Sequence, residues 1–284
     1  MRTQIRRSEP ALGDTLASTR RSQYHARTGI VPASGGTVRR DHRRDGCADL
    51  YGGVWDRRHN CRFAALFVGC GHDGLMIDVW AETRNRRIGL ASQLMGLAAA
   101  EWEVPSGCAG WRVREVVAHL VDLAEASQWT MFVNVARAGF SPDRALDRGA
   151  RRIAAVPTAE LIERLRSAAD GRFHVLGSPS VVALGEILVH SVDIFEPLGA
   201  VADTPVGLVV AVLPTYRRIA RFAFRTKRIS KVRMVATDAD WNAGSGQLVE
   251  GTALDLLLAL ANRHDALARL SGPGVATLQP PAAA

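Results

Sequence analysis

Apolar residues recur at helical spacing in four stretches between residues 77 and 200. The spacing predicts helices over residues 77–100, 111–138, 158–172 and 180–195, with Thr158 as the cap of the third. A Pro- and Gly-containing break at 104–110 separates the first two, and an Arg- and Asp-rich stretch after Gly139 predicts a loop. Four helices with no strand between them indicate a four-helix bundle over residues 76–200, in a mainly α protein.

The pattern changes after Gly199. Residues 205–225 predict a helix broken or kinked at Pro214, because proline lacks the N–H that a helix interior needs. Alternation over 231–237 predicts a strand, residues 241–251 have strand and turn character, and two short helices are expected at 252–262 and 264–270. Residues 201–278 therefore form a small α+β domain, followed by a tail at 279–284.

The first 75 residues differ from the rest, with repeated Arg pairs and no helical period. Such a segment buries too little apolar surface to fold, so it is expected to be disordered or to be a spurious extension upstream of Met76. It contains G-x-G-x-x-G at 69–74, but only helices follow and the βαβ unit of a dinucleotide site is missing. Its His and Cys residues fit no common zinc-finger spacing: His59, Cys61, Cys70 and His72.

The net charge of +8 comes mainly from this first segment. Residues 1–75 hold thirteen Arg and no Lys against seven acidic residues, which is +6 and leaves +2 for the remainder. Nucleic-acid binding needs a clustered basic face, and the remainder offers only one modest cluster at 217–233. We therefore expect no nucleic-acid partner.

Cysteine usage and hydropathy point to a cytoplasmic protein with no membrane partner. Cys108 is the single cysteine after residue 75, so no intramolecular disulfide can form there, as expected in a reducing compartment. No apolar run approaches the roughly 20 residues that a membrane helix needs. Cys108 itself is expected to be structural, since no activating neighbour is evident.

The most informative polar residues are His119, Glu186 and His190. Glu186 and His190 are four apart on an apolar helix, so they share a face. A neighbouring helix carrying His119 would bring a second imidazole to the same point. Two imidazoles and one carboxylate are the ligand set of a divalent metal that keeps a position open for water or substrate.

Plainer interpretations exist for each of these residues. Glu186 could pair with an arginine beside a surface His190, and a lone His119 could be a packed side chain. Asp193, three residues after His190, could hold the far nitrogen of that imidazole or be a charge near a helix end.

Three sequence motifs, in the same order along the chain, resemble a known family. PSGCAGWRVREVVAHL at 105–120 resembles the second-helix motif of the mycothiol-dependent maleylpyruvate isomerase family, and GEILVHSVDI at 185–194 resembles its fourth-helix motif. Residues 235–262 are similar to its C-terminal domain, so the resemblance spans about 76–278. It departs at Phe195-Glu196, where two Arg are frequent, and at Asn262, where Gly is frequent.

The resemblance implies a DinB-like four-helix bundle joined to a small domain similar to sterol carrier proteins. It implies a divalent metal, with zinc expected, held by His119, Glu186 and His190. It also implies mycothiol, the small thiol of actinobacteria, as cosubstrate in isomerisation of, or conjugation to, a small electrophile. No catalytic or cosubstrate-binding residue can be mapped, although Arg263 and the 217–233 cluster are cationic candidates or solvated surface.

Two other functions fit the same residues. One is a non-catalytic protein that binds a metal or a ligand. The other is a hydrolase that activates a metal-bound water with the same three ligands.

Overall fold

The structure is a computed structural model that describes residues 77–222 and 227–279, all within one compact unit of the chain. In chain order its elements are α1 (Val79–Leu94), α2 (Val113–Glu125), α3 (Gln128–Arg137), α4 (Pro142–Ile153), α5 (Thr158–Ser167), α6 (Val181–Phe195), α7 (Val206–Phe222), β1 (Val232–Ala236), β2 (Asn242–Gly244), β3 (Gln247–Gly251), α8 (Ala253–Leu260) and α9 (Val275–Leu278). Short 3₁₀ helices cover Ala99–Glu103, Glu196–Leu198, Lys227–Lys231 and His264–Arg269. The mainly α fold class with a small sheet is as predicted.

Four of the helices pack as the sequence pattern suggests. Helices α1 and α2 each contact both α5 and α6. Each buries apolar side chains; in α2 these form a stripe that consists of Val113, Val116, Val117, Leu120, Val121 and Ala124. The four helices therefore enclose a common core.

Two predictions in this region were wrong. The single helix expected over 111–138 is interrupted at Ala126, which is extended, and α3 restarts with Ser127 accepting a hydrogen bond from the N–H of Thr130. The loop expected after Gly139 contains α4, which is capped by Ser141 and begins with Pro142. Its buried face contains three small residues and only one large apolar residue, and its four Arg residues are exposed. The buried residues are Ala145, Gly149, Ala150 and Ile153.

Other bounds are shorter than predicted. Helix α1 ends at Leu94 rather than at residue 100, and α5 ends at Ser167 rather than at residue 172. Thr158 is the first residue of α5 and not its cap, because Pro157 occupies the cap position without a side-chain hydrogen bond. Helix α7 continues through Pro214.

The C-terminal elements build a three-stranded sheet in the order β2-β1-β3. Strand β1 pairs antiparallel with β2, aligning Arg233 with Gly244, and parallel with β3, aligning Val232 with Gln247. Helix α8 supplies the covering layer and packs on α7, which in turn packs on α6. One hydrophobic core therefore runs from the bundle into this region. The division at 200/201 remains a prediction.

The remaining sequence predictions lie outside the described residues. They concern the segment 1–75 with its glycine motif and its His and Cys residues, the start at Met76, and all but the first residue of the tail. Within 77–222 and 227–279, no helix has the length and apolarity needed to span a bilayer.

Candidate metal centre

Helix α2 aims His119 at the bundle interior. His119 borders the apolar stripe of this helix, three residues after Val116, and is buried as the stripe residues are. The indole of Trp111 lies beside it, with ring centroids 5.1 Å apart. Trp111 is itself anchored on α4, because its Nε1–H donates to Asp147 Oδ1 at 2.9 Å.

Helix α6 supplies Glu186 and His190. This helix is buried on nearly every side, from Leu184 to Phe195, as expected for a helix that is apolar all round. Polar groups there need partners, because an unpaired buried charge is costly. The side chain of Glu186 is 30% exposed, against 5% for His119 and 7% for His190, so the site opens toward the carboxylate.

The three predicted side chains lie together. Nε2 of His119 is 3.5 Å from Oε2 of Glu186, and Nε2 of His190 is 3.3 Å from the same oxygen. The two imidazole rings meet edge to face with centroids 5.0 Å apart. One potential ligand atom from each residue lies within 4.8 Å of the other two.

Asp193 lies on the far side of His190. Its Oδ2 is 2.7 Å from Nδ1 of His190, which leaves Nε2 of that ring directed at Glu186. The buried Asp193 also accepts two bonds from Arg263, from Nη2 at 2.5 Å and from Nε at 3.1 Å. The carboxylate therefore connects the imidazole to a cation from the C-terminal part of the chain.

Arg263 reaches Asp193 because of the way α8 ends. Asn262 follows the helix with φ +65°, a left-handed conformation that Gly and Asn adopt most readily. Asn is therefore tolerated at this position, where the family that the sequence motifs resemble frequently has Gly. The Nη1–H of Arg263 donates to the Ala261 carbonyl at 2.6 Å, so the guanidinium is held on both sides.

The two groups of cationic candidates have different surroundings. Arg263 lies beside the candidate metal ligands and is not a solvated surface group, because its guanidinium donates to Asp193 and to the Ala261 carbonyl. In the 217–233 cluster, Arg217 lies against Gly244 of β2 and Arg233 is exposed on β1.

Two neighbours of the centre were missed by sequence reasoning, Tyr216 and Trp111. The hydroxyl of Tyr216 on α7 donates to Oε1 of Glu186 at 3.2 Å. Trp111 was included in the family-like motif, but its contact with His119 depends on how the loop before α2 folds. No local spacing signal could have identified Tyr216, which is 30 residues away from Glu186.

The electrostatics favour ionised carboxylates beside one neutral imidazole. Burial lowers the pKa of His119 below its ordinary value. Burial also disfavours a charged His190, but bonds to Asp193 and Glu186 outweigh it and raise the pKa of His190. Burial raises the pKa of Glu186, yet the two facing imidazoles prevail and hold this pKa well below its usual range.

The phenol of Tyr216 remains a donor. Burial, with the adjacent Glu186 carboxylate, raises the pKa of Tyr216 well above its ordinary value. The carboxyl of Asp193 behaves oppositely, because bonds from His190 and Arg263 overcome burial and lower its pKa.

The donor set fits a divalent ion such as zinc. Two imidazole nitrogens and one carboxylate oxygen converge, and the carboxylate side is open. Asp193 holds the outer nitrogen of His190 as such sites require. The outer Nδ1 of His119 is buried and has no hydrogen-bond partner in the part of the chain that the structure describes.

A second trio beside it is a poorer metal site. Cys108, His190 and Asp193 also bring one potential ligand atom each within 4.8 Å. However, both oxygens of Asp193 accept bonds from Arg263, and Oδ2 is also engaged with Nδ1 of His190. Burial raises the pKa of the Cys108 thiol, which favours the structural role predicted for it.

Comparison with known protein families and solved structures finds similarity in one part of the chain to a described family. Residues 84–178 match the family model of the mycothiol maleylpyruvate isomerase N-terminal domain. Two solved structures, of the mycothiol-dependent maleylpyruvate isomerase and of a mutant of it, are 16% and 17% identical and give TM-scores of 0.48 and 0.49. Each comparison covers 72% of this chain and 94% of the solved chain. Among curated proteins, no significant match is found.

The matched segment contains α2 with His119, whereas Glu186 and His190 lie just beyond it. The resemblance drawn from the motif at 105–120 is thereby confirmed. Residues 84–178 are therefore similar to the N-terminal domain of the mycothiol maleylpyruvate isomerase family.

Proposed function

We propose that this chain is a metal-dependent enzyme that uses mycothiol to isomerise, or to form a conjugate with, a small electrophile. The metal would be held by His119, Glu186 and His190, with zinc as the expected ion. The observation that carries the proposal is the convergence of two imidazole Nε2 atoms on one carboxylate oxygen. The family of residues 84–178 supports the choice of mycothiol.

A bound divalent ion would lower the pKa of a thiol at its open position and so supply thiolate at neutral pH. The protein side chains orient and shield this position. Asp193 fixes the ring of His190 through Nδ1, and Trp111 packs against the ring of His119. Small molecules approach past Glu186, the most exposed of the three ligands.

Arg263 gives the centre a fixed positive charge. Its Nε, Nη1 and Nη2 are occupied by Asp193 and Ala261, so its first role is to hold Asp193 ionised beside His190.

Isomerisation would return the thiol after addition and elimination, whereas conjugation would retain the new carbon–sulfur bond. The two outcomes differ in thiol stoichiometry.

The first test is metal content of the full-length protein. We expect about one zinc per chain, lost in His190→Ala and retained in His174→Ala. His174 is a suitable control because its ring lies near Trp80, 6.0 Å between centroids, and not in the centre. Retention of zinc by His190→Ala would refute the proposed ligand set.

The second test follows free thiol and substrate together. The zinc-loaded protein is mixed with mycothiol and a panel of small electrophiles. Turnover with constant thiol indicates an isomerase, and loss of one thiol per product indicates a transferase. Hydrolysis by the zinc-loaded protein without mycothiol would instead favour the metal-water hydrolase, and absence of turnover, with or without bound metal, a non-catalytic binding protein.

A further inference from the structure

We propose that Tyr216 is a positioning residue for Glu186, an inference that rests on the proposed function. The two carboxylate oxygens of Glu186 have different partners. Oε1 accepts from the Tyr216 hydroxyl at 3.2 Å, while Oε2 faces both imidazoles. Tyr216 therefore reserves one oxygen and leaves the other for the metal.

The placement of Tyr216 requires its hydroxyl to have a partner. Tyr216 is 6% exposed as a residue, on a helix that packs directly against α6. A buried phenol without a hydrogen bond is unfavourable, and Glu186 supplies the acceptor. The ring also belongs to the hydrophobic core that joins the bundle to the C-terminal region.

Gly185 makes this contact possible. A Cβ at Gly185 would lie 2.1 Å from Cε2 and 2.8 Å from the hydroxyl oxygen of Tyr216. Any side chain there would displace the ring from the surface of α6. The glycine immediately before Glu186 thus provides the space that the tyrosine occupies.

The carboxylate needs such a restraint because it borders the open side of the centre. Glu186 is the most exposed of the three candidate ligands, so solvent competes for its oxygens. A carboxylate that turns toward solvent would leave two imidazoles as the remaining ligands. Hydrogen bonds to ligating groups commonly change metal affinity about 10–100-fold.

The test compares Tyr216→Phe with Thr215→Val in the full-length protein. Tyr216→Phe removes one oxygen atom, and Thr215→Val removes the hydroxyl of a buried residue one position away on the same helix. Zinc affinity is measured by chelator competition. We expect an affinity about 10–100-fold lower for Tyr216→Phe and close to wild type for Thr215→Val.

Cobalt substitution provides a readout that destabilisation alone would not change. The visible absorption of bound Co²⁺ reports ligand geometry, so we expect an altered spectrum at saturating metal in Tyr216→Phe. Gly185→Ala displaces the ring while keeping the hydroxyl, and it should alter the spectrum as well. This second variant also covers the case in which Tyr216→Phe folds poorly.

The outcomes separate the two proposals. Wild-type zinc affinity and an unchanged cobalt spectrum in Tyr216→Phe would overturn the positioning role alone. Absence of metal from the wild-type protein would overturn the proposed function and the positioning role with it. Equal losses in Tyr216→Phe and Thr215→Val, with an unchanged spectrum, would also reject it in favour of general destabilisation.

Discussion

Asp193 and Arg263 form an ion pair with a buried carboxylate, 2.5 Å from Oδ2 to Nη2, that joins α6 to the chain that follows α8. The side chain of Asp193 is 2% exposed and that of Arg263 is 22% exposed. Since the same oxygen is 2.7 Å from Nδ1 of His190, the pair connects the C-terminal region to the metal centre. Stability and metal affinity should therefore change together when it is broken.

Asp193→Asn should weaken both properties. The variant leaves Arg263 without its carboxylate and His190 without a charged partner at Nδ1. We expect the free energy of unfolding to fall by about 3 kcal/mol, as for other broken buried pairs. Zinc affinity should fall about 10–100-fold. Urea unfolding of the metal-free protein and chelator competition measure the two effects separately.

Glu196→Gln is the matched control for Asp193→Asn. Glu196 pairs with Arg269 at 2.9 Å just after α6, but both side chains are exposed. Exposed pairs contribute about 0–1 kcal/mol, and this one lies outside the centre. A loss of zinc affinity in Glu196→Gln equal to that in Asp193→Asn would contradict a specific role for Asp193.

Gly107→Ala should also disturb Asp193. The backbone N–H of Gly107 donates to the Asp193 carbonyl at 2.9 Å, and a Cβ there would lie 2.9 Å from Asp193 Oδ1. Overpacking of this kind costs about 1–3 kcal/mol. Gly89→Ala on α1 meets no atom within 4 Å and should instead stabilise by about 0.5–1 kcal/mol. Thermal unfolding shows whether each substitution lowers or raises the unfolding midpoint. Destabilisation by both Gly107→Ala and Gly89→Ala would contradict the packing argument.

Removal of the metal should lower the free energy of unfolding, and this effect should require each of the three proposed ligands. A ligand that binds the folded chain alone adds about 2.7 kcal/mol at a hundredfold excess over Kd. We expect zinc to raise the unfolding midpoint of the wild-type protein and of His174→Ala, and a chelator to reverse the rise. His119→Ala should show no zinc-dependent shift. A full shift in that variant would exclude His119 as a ligand.

The sequence was most informative where helical periodicity and chemistry coincided. His119 lies at the edge of the apolar stripe of α2, and Glu186 and His190 share a face of α6, so their meeting could be expected once α2 and α6 were adjacent. Helix α4 was missed because its buried face has only one large apolar residue, Ile153, among Ala and Gly, although Ser141 and Pro142 mark its start. Its Arg and Asp residues also occur at the positions between, which gave the segment the composition of a loop.

Tyr216 and the role of Arg263 could not be predicted from local patterns. Each contacts the centre through tertiary packing, across 30 residues for Tyr216 to Glu186 and 70 for Arg263 to Asp193. Gly185 and Asn262 make these contacts possible, the first through space and the second through a positive φ. The effect of a small residue or of a positive φ on a distant contact can be recognised only when the element that packs against it is known.

Glu115 provides a pH-dependent contribution to stability, away from the centre. Its side chain is buried at the start of α2 and accepts bonds from the backbone N–H of Arg112 at 2.8 Å and from its Nε at 3.0 Å. Burial raises the pKa of Glu115, but the bonds and charge of Arg112 outweigh it, so the pKa lies below its ordinary value of 4.5.

A carboxyl whose pKa is lowered by folding stabilises the folded chain above its unfolded pKa, and this stabilisation is lost as pH falls through the folded value. Glu115→Gln should therefore be less stable than wild type at neutral pH, and the difference should shrink from about pH 4.5 downward. Urea unfolding at neutral pH and at about pH 3.5 measures it. Glu163→Gln, which removes an exposed carboxylate 3.8 Å from Arg166, should show little difference at either pH. A difference for Glu115→Gln that is independent of pH would mean that shape, and not charge, is what Glu115 contributes.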